Sequence, residues 1–295
     1  LQLQLNLRNE TLCIPEQGTF TLPKDESMIL PFNLMLGSAR LRYATAQPLM
    51  KINDNGIDHY IFFAPEGMKP EYCFDARTVK GKVKYAVTSG LKSTITVTPR
   101  NGKKIKITTL NHEQALNAIK VDGQLLITTA TVLPTAEGIT LQQLGNNAFD
   151  YILYPSAKGW QSQTVQVPPL SPECRVAKIT TRRITVAFSD TVHAPQVNEY
   201  FMKIDYTGDV AMAFLGGKMV QDEFWHAQPW MIGLNRHKEM MSKEAMSFYF
   251  RPLRSDATCL QDLPQSAIPD FKGNNQMLEI KNVEIIPQYQ VEINK

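Results

Sequence analysis

The chain has 295 residues, of which 43% are hydrophobic and 20% are charged, and this composition excludes disorder of the chain as a whole. Its 31 basic and 28 acidic residues leave a net charge of +3, which is not the electrostatic footprint of a nucleic-acid-binding protein. No stretch of about 18 apolar residues is present, so we expect no membrane span. We expect the four cysteines to be free, because they lie far apart and no two have the spacing of a zinc or redox motif.

Alternation of apolar and polar residues with a period of two predicts strands along most of the chain. The alternation begins at once, with leucines at every second position from Leu1 to Leu7. Because Leu1 is not Met and already belongs to a predicted strand, we expect the chain to be a processed product or a piece cut from a longer protein.

Glycine-containing turns divide the alternating runs into hairpins. The Asn-Gly pairs at positions 55–56 and 101–102 each lie between two apolar runs, and both residue types accept a positive φ at low cost. The clearest hairpin is predicted over residues 200–215, with Thr207-Gly208-Asp209 as its turn. A further tight turn is predicted at Gly216-Gly217-Lys218.

Helical signals are few. One short helix is predicted over residues 111–119, with Asn111 as its N-cap. Residues 235–246 are rich in helix-forming residue types, and helix and non-helix remain open there. Without alternating strand and helix units, the pattern predicts an all-β protein with two β-sandwich or jelly-roll domains. We place these at residues 1–155 and 176–295, joined by a proline-rich linker at 156–175.

Known catalytic and nucleotide-binding motifs are not found, and the five histidines have no metal-ligand spacing. The sequence therefore gives no reason to expect a catalytic residue, a metal or a cofactor. Two Asn-Glu dipeptides, Asn9-Glu10 and Asn198-Glu199, resemble the acid/base position of retaining glycosidases. In those enzymes a second carboxylate must face this residue across the scissile bond, and nothing in the sequence supplies a scaffold for such a pair. We therefore interpret both dipeptides as turn residues.

One aromatic segment is a candidate for ligand binding. Trp225 and Trp230 flank a proline turn, and flat rings of this kind cover the apolar face of a pyranose. Asp222 and Gln228 would then bind the sugar hydroxyls. The alternative is that one or both tryptophans fill the core and that the indole N–H is bonded to the backbone.

Several segments together resemble the region that follows the catalytic barrel in bacterial family 35 glycoside hydrolases, the β-galactosidase-like enzymes. In the first half they are ILPFNLMLGSARLRYATAQP at 29–48, YIFFAPEG at 60–67 and Pro70-Glu71. In the second half they are YFMKIDYTGDVA at 200–211, the Gly216-Gly217-Lys218 turn, the spaced residues Asp222, Trp225, Pro229-Trp230 and Gly233-Leu234, and VEIIPQY at 283–289. The resemblance implies that the second domain has a galactose-binding-like fold.

The resemblance also implies a role. The family's catalytic glutamates lie on the barrel and match no position here, so the chain is expected to be a non-catalytic accessory region. Its partners would be the catalytic barrel of the parent enzyme and galactoside glycans, and the implied location is secreted or periplasmic. An independent carbohydrate-binding module and a purely structural sandwich protein are the alternatives.

Overall fold

The computed structural model describes residues 1–8, 10–16, 18–136, 138–188 and 194–293. Strands account for 51% of the described residues and helices for 7%. The protein is therefore all-β, which confirms the fold class predicted from the alternation. No helix in the described part is long and apolar enough to cross a membrane.

The structure describes 26 strands, most of them joined by turns or short loops, with longer connections between β2 and β3 and between β24 and β25. In the first half they are β1 (Leu3–Asn6), β2 (Thr11–Ile14), β3 (Phe32–Leu36), β4 (Ala39–Ala44), β5 (Gln47–Asp54), β6 (Ile57–Phe63), β7 (Glu71–Phe74), β8 (Lys84–Ala86), β9 (Ile95–Val97), β10 (Ile105–Leu110), β11 (Ala118–Val121), β12 (Gln124–Thr128), β13 (Thr131–Pro134) and β14 (Ile139–Leu144). In the second half they are β15 (Ala148–Tyr154), β16 (Gln163–Gln166), β17 (Arg175–Thr180), β18 (Arg183–Ala187), β19 (Val197–Thr207), β20 (Val210–Leu215), β21 (Lys218–Phe224), β22 (Trp230–Gly233), β23 (Met246–Phe250), β24 (Leu253–Arg254), β25 (Gln276–Met277) and β26 (Glu279–Ile293).

The described helices are all short. Helix α1 (His112–Leu116) begins at Asn111 as predicted, with a capping box in which the Asn111 and Gln114 side chains each bond the other residue's backbone N–H. Within residues 235–246, only the first part is helical, as a 3₁₀ turn at Asn235–His237 followed by α2 (Lys238–Met241). Two more 3₁₀ turns lie at Thr258–Asp262 and Gln265–Ala267.

The chain forms two compact units that are interleaved in sequence. The first contains Leu1–Thr129 and Asp150–Thr164, and the second contains Ala130–Phe149 and Val165–Lys295. The β13–β14 hairpin, which the sequence division assigns to the first domain, thus belongs to the second unit. The predicted linker at 156–175 is not free of regular structure, because it contains β16, the edge strand of the sheet β11-β12-β15-β16.

The first unit is built on a sheet that is covered on both faces. Its order is β5-β6-β10-β9, and the two central strands, β6 and β10, are parallel. On β6, Ile61 and Phe62 point to opposite faces and enter two different hydrophobic clusters. One cluster is shared with the sheet β3-β4-β7-β8 and the other with the sheet β11-β12-β15-β16. Burial on both faces explains why residues 60–64 are continuously apolar instead of alternating.

Both predicted Asn-Gly hairpins in this unit are confirmed. The first connects β5 to β6, with positive φ at Asn55 and Gly56. The second connects β9 to β10, with positive φ at Gly102.

The second unit has two five-stranded antiparallel sheets, β13-β14-β26-β19-β22 and β17-β18-β23-β20-β21. A single hydrophobic cluster takes side chains from both sheets, including Met202 on β19, Ile232 on β22 and Phe248 on β23. The predicted tight turn at Gly216-Gly217 is confirmed and connects β20 to β21.

The hairpin predicted over residues 200–215 is wrong. Both strands exist, but β19 pairs with β22 and β26, whereas β20 pairs with β21 and β23. The turn at Gly208 therefore carries the chain from one sheet to the other. A Cβ at Gly208 would lie 3.0 Å from the carbonyl oxygen of Arg251, so a larger residue would crowd this backbone and glycine fits best.

Candidate functional site

The two tryptophans of the predicted sugar platform lie in the core of the second unit. Trp225 is 8% exposed and Trp230 is 1% exposed. The Trp225 indole N–H donates to the backbone carbonyl of Tyr206 at 2.8 Å, and the Trp230 ring packs edge-on against Phe248. The expectation of an exposed platform is therefore wrong, and the alternative of core tryptophans is what the structure contains. Burial of these large apolar rings stabilises the unit more than exposure would.

The two polar residues of the same prediction remain at the surface. Asp222 is exposed on β21, at the edge of its sheet and opposite Met212, and Gln228 is exposed between β21 and β22. Among the described residues, no hydrogen bond joins either side chain to an indole. The structure therefore does not bring the four predicted residues together into a binding site.

Glu199, from the second Asn-Glu dipeptide, is not a turn residue. It lies in β19, and its Oε1 accepts backbone N–H groups from Tyr200, Leu234 and Asn235 at 2.9, 3.2 and 2.8 Å. This carboxylate anchors the 3₁₀ turn that follows β22, which is a structural role. Asn9 of the first dipeptide lies outside the described residues, as does His193.

The third tryptophan, which the sequence reasoning left out, lies in the first unit. Trp160 is partly buried and stacks on Tyr154, with ring centroids 3.9 Å apart and an interplanar angle of 6°. His59 meets both rings edge-on, at 5.4 Å from Tyr154 and 6.0 Å from Trp160. Trp160 falls within the proline-rich stretch that we interpreted as a linker, so its packing had no periodic signal.

A polar network continues from this aromatic group into the sheet. The Tyr154 hydroxyl donates to Asp54 Oδ2 at 2.8 Å, and Lys106 Nζ lies 2.5 Å from the same oxygen. His59, which is fully buried, bonds Thr108 Oγ1 through Nε2 at 2.8 Å. These contacts connect β5, β6, β10 and β15.

The protonation states in this network follow from burial and hydrogen bonding. Burial lowers the pKa of His59 to about 4, so the imidazole is neutral at pH 7. Burial and the hydrogen bond to Asp54 both raise the pKa of Tyr154 well above its usual value. Burial tends to raise the pKa of Asp54, but the hydrogen bonds from Lys106 and Tyr154 outweigh it and the net shift is downward. The pKa shifts of His59, Tyr154 and Asp54 all lead away from pH 7, as expected of a structural network.

An open polar cleft of about 340 Å³ lies beside α1 in the first unit. We call it the α1 cleft. Its lining is amphipathic in composition, because Ile127 and Ile152, which are 8% and 9% exposed, lie among residues with hydroxyl, amide and carboxylate groups. The polar part of the lining includes Glu113, Asn117, Thr129, Asp150, Tyr151 and Ser162.

Hydrogen bonds fix part of this lining. Asp150 Oδ1 accepts from the Thr164 hydroxyl at 2.5 Å, and the Asp150 carbonyl accepts from Thr128 at 2.8 Å. Asn117 donates to the Glu113 carbonyl at the end of α1. A surface of fixed polar groups with an apolar component suits a small polyhydroxylated ligand, which has hydroxyl edges and C–H faces. No group of three or more potential metal ligands occurs within the described residues.

Comparison with known proteins adds no family: no protein-family model matches the chain, and no curated protein matches it.

Proposed function

We propose that the chain is a non-catalytic accessory region of a β-galactosidase-like glycoside hydrolase, which supports the catalytic barrel of the same parent enzyme. The observation that carries the proposal is the pair of five-stranded antiparallel sheets around one core in the second unit. This arrangement supports the finer interpretation of that unit as a galactose-binding-like jelly roll. For the first unit, the proposed β-sandwich region is supported by the two clusters packed between its four-stranded sheets.

The segments that resemble family 35 enzymes lie at a crossing between sheets, at a tight turn and in a strand with two partners. These are positions where the fold restricts the sequence, which favours the proposal. Residues 200–211 include the crossing at Gly208, and Gly216-Gly217 forms the β20–β21 turn. Residues 283–289 belong to β26, which pairs with both β14 and β19.

Four carboxyl groups with lowered pKa values are unsuited to act as the general acid of a glycosidase. Hydrogen bonds from arginine lower the pKa of Asp75 to about 2 and also lower the pKa of Asp256, while a hydrogen bond from Lys84 lowers that of Glu16. The pKa of Asp54 is lowered within the buried network. A glycosidase general acid requires a shift in the opposite direction.

The test is reconstitution in trans. A family 35 catalytic barrel produced without its own β-region is mixed with this chain, and the melting temperature of the barrel is followed. We expect a stable complex, with a stabilisation of the barrel of about 2.7 kcal/mol when the chain is present at about 100 times its Kd. An unrelated all-β protein at the same concentration is the control.

Two results would contradict the proposal. One is the absence of any complex or shift in melting temperature at saturating chain. The other is hydrolysis of a nitrophenyl β-galactoside by the isolated, pure chain, because the proposed role has no catalytic pair.

Carbohydrate contact is a second candidate function, which the amphipathic α1 cleft favours. We expect galactose to bind there weakly, with a Kd on the order of millimolar, because an open cleft covers few ligand atoms. Titration with galactose by NMR should shift Tyr151 and Asn117 resonances. Tyr151→Ala should abolish the shifts and Tyr151→Phe should retain the ring contact. Unchanged spectra at saturating galactose would exclude this site.

A further inference from the structure

Strand β17 is exposed along its whole length. All six residues from Arg175 to Thr180 are exposed, and so are the three that follow, up to Arg183. The apolar side chains Val176 and Ile179 are 43% and 59% exposed. A strand at the edge of a two-sheet unit normally buries one of its faces, so β17 contributes unusually little to the core of its own unit.

The exposed run is also strongly basic. Arg175, Lys178, Arg182 and Arg183 lie within nine residues that include no carboxylate. None of the four forms an ion pair with a residue that the structure describes; Arg183 lies over the Tyr249 ring at 5.6 Å. The closest acidic residue in sequence is the exposed Glu173, which lines the same surface hollow as Arg175.

The outer edge of β17 is unpaired within the described part of the chain. β17 is the first strand of the sheet β17-β18-β23-β20-β21, and its partner is β18. An edge strand presents backbone N–H and C=O groups that can pair with an incoming strand. The register with β18 shifts between Lys178 and Thr180, so Ile179 is the extra residue of a β-bulge.

We propose that β17 is a docking edge for an acidic, extended polypeptide segment of a partner protein, which adds to the sheet as a further strand. The backbone edge would supply hydrogen bonds, Val176 and Ile179 would cover apolar side chains of the segment, and the cations would pair with its carboxylates. The inference is drawn from this strand alone and does not depend on the glycosidase proposal.

The chemistry of the strand selects this occupant. A nucleic acid or a sulfated polysaccharide would satisfy the cations, but it would leave the backbone edge and the two apolar side chains unused. Lysines and bulges on edge strands oppose unselective pairing with other strands. The same positive charge favours an acidic strand, so it sets specificity as well as attraction.

The experiment uses the intact chain and a short fluorescein-labelled peptide of alternating Glu and Val, with binding measured by fluorescence anisotropy. We expect saturable binding that weakens as salt is added, and no binding of a Lys-Val peptide. Amide hydrogen exchange should slow in β17 when the acidic peptide is bound, because strand addition protects the backbone edge.

Two matched double variants test the surface. Lys178→Glu/Arg182→Glu should weaken peptide binding by about tenfold or more, whereas Lys103→Glu/Lys104→Glu, an exposed pair in the first unit, should leave it within about twofold. Val176→Thr/Ile179→Thr keeps the strand-forming residue class and should weaken binding without removing its dependence on salt.

The proposal is overturned if the two charge-reversal variants bind the peptide equally well, or if β17 amides remain unprotected in the complex. It is also overturned if a single-stranded oligonucleotide of the same charge competes with the peptide at equal or lower concentration, since the site would then be a general anion surface. All substituted positions are exposed, and an unchanged melting temperature verifies that each variant is folded.

Discussion

Acidification from about pH 7 to about pH 5 should destabilise the first unit through His59. The imidazole is fully buried, with an edge contact to each of two aromatic rings and a bond to Thr108. Burial holds its pKa at about 4 in the folded state, against 6.5 for an exposed histidine. The unfolded chain therefore takes up a proton in this pH range and the folded chain does not. The stability that the neutral His59 contributes to the first unit is therefore complete above pH 6.5 and is lost as the pH falls towards 4.

The two pKa values give the size of the effect. Their difference corresponds to roughly 3 kcal/mol at acid pH, and the part lost between about pH 7 and about pH 5 is about 2 kcal/mol. Asp54 acts in a different window. Its pKa is lowered, so the stability that it contributes is lost only below its usual value of 3.8.

Urea unfolding at the two pH values measures this loss. Trp160 is the only one of the three tryptophans that belongs to the first unit, so ¹⁹F NMR of protein labelled with 5-fluorotryptophan can follow that unit separately. His59→Gln should remove most of the pH dependence. His237, which is partly exposed and has a pKa lowered by burial and by Arg236, provides the matched control His237→Gln, which should leave the slope of the first unit unchanged. A wild-type stability that is equal at both pH values would refute this reasoning.

Three further outcomes are expected from thermal or urea unfolding. Trp225→Phe should lower the free energy of unfolding by about 1–2 kcal/mol more than Trp230→Phe does. The first substitution removes the hydrogen bond to Tyr206, whereas the Trp230 indole N–H has no partner among the described residues. Equal losses would contradict this prediction. Gly208→Ala should destabilise the second unit by about 1–3 kcal/mol, since the added Cβ meets the Arg251 carbonyl at 3.0 Å, and a neutral effect would show that the crossing can relax. Tyr154→Phe should lower the unfolding free energy of the first unit by about 1–3 kcal/mol, because it removes the charge-assisted hydrogen bond to Asp54. When Tyr154→Phe is combined with Asp54→Asn, the two losses should not add, because both substitutions remove the same bond.

Local turn chemistry was predictable from the sequence, and long-range pairing was not. The Asn-Gly turns at 55–56 and 101–102 form as predicted, because a positive φ is a property of the turn residues themselves. Residues 200–215 show the opposite case. Two consecutive strands show the same alternation of apolar and polar residues whether they pair in one sheet or lie in two facing sheets. The pattern therefore cannot distinguish a hairpin from a crossing between sheets.

The candidate site was less predictable than the fold. Two tryptophans beside a proline turn are consistent with an exposed platform and with a core, and burial decides between them through contacts with strands that are distant in sequence. Trp160 and His59 were missed for a related reason, since their network joins residues about a hundred positions apart and has no spacing signature. The basic edge at β17 was visible in the sequence only as the pair Arg182-Arg183, and its exposure required the structure.

The pairing of β14 with β26 has a consequence for how the protein is made. Ile139 is opposite Ile293 and Leu141 is opposite Val291, so β14 leaves the ribosome long before its neighbour has been translated. During that interval the β13–β14 hairpin presents an apolar open edge, while the first unit can already take in Asp150–Thr164 and close. The sheet of the second unit therefore cannot be completed before β26 has been translated, and slow translation after residue 164 would prolong exposure to chaperones and to neighbouring nascent chains.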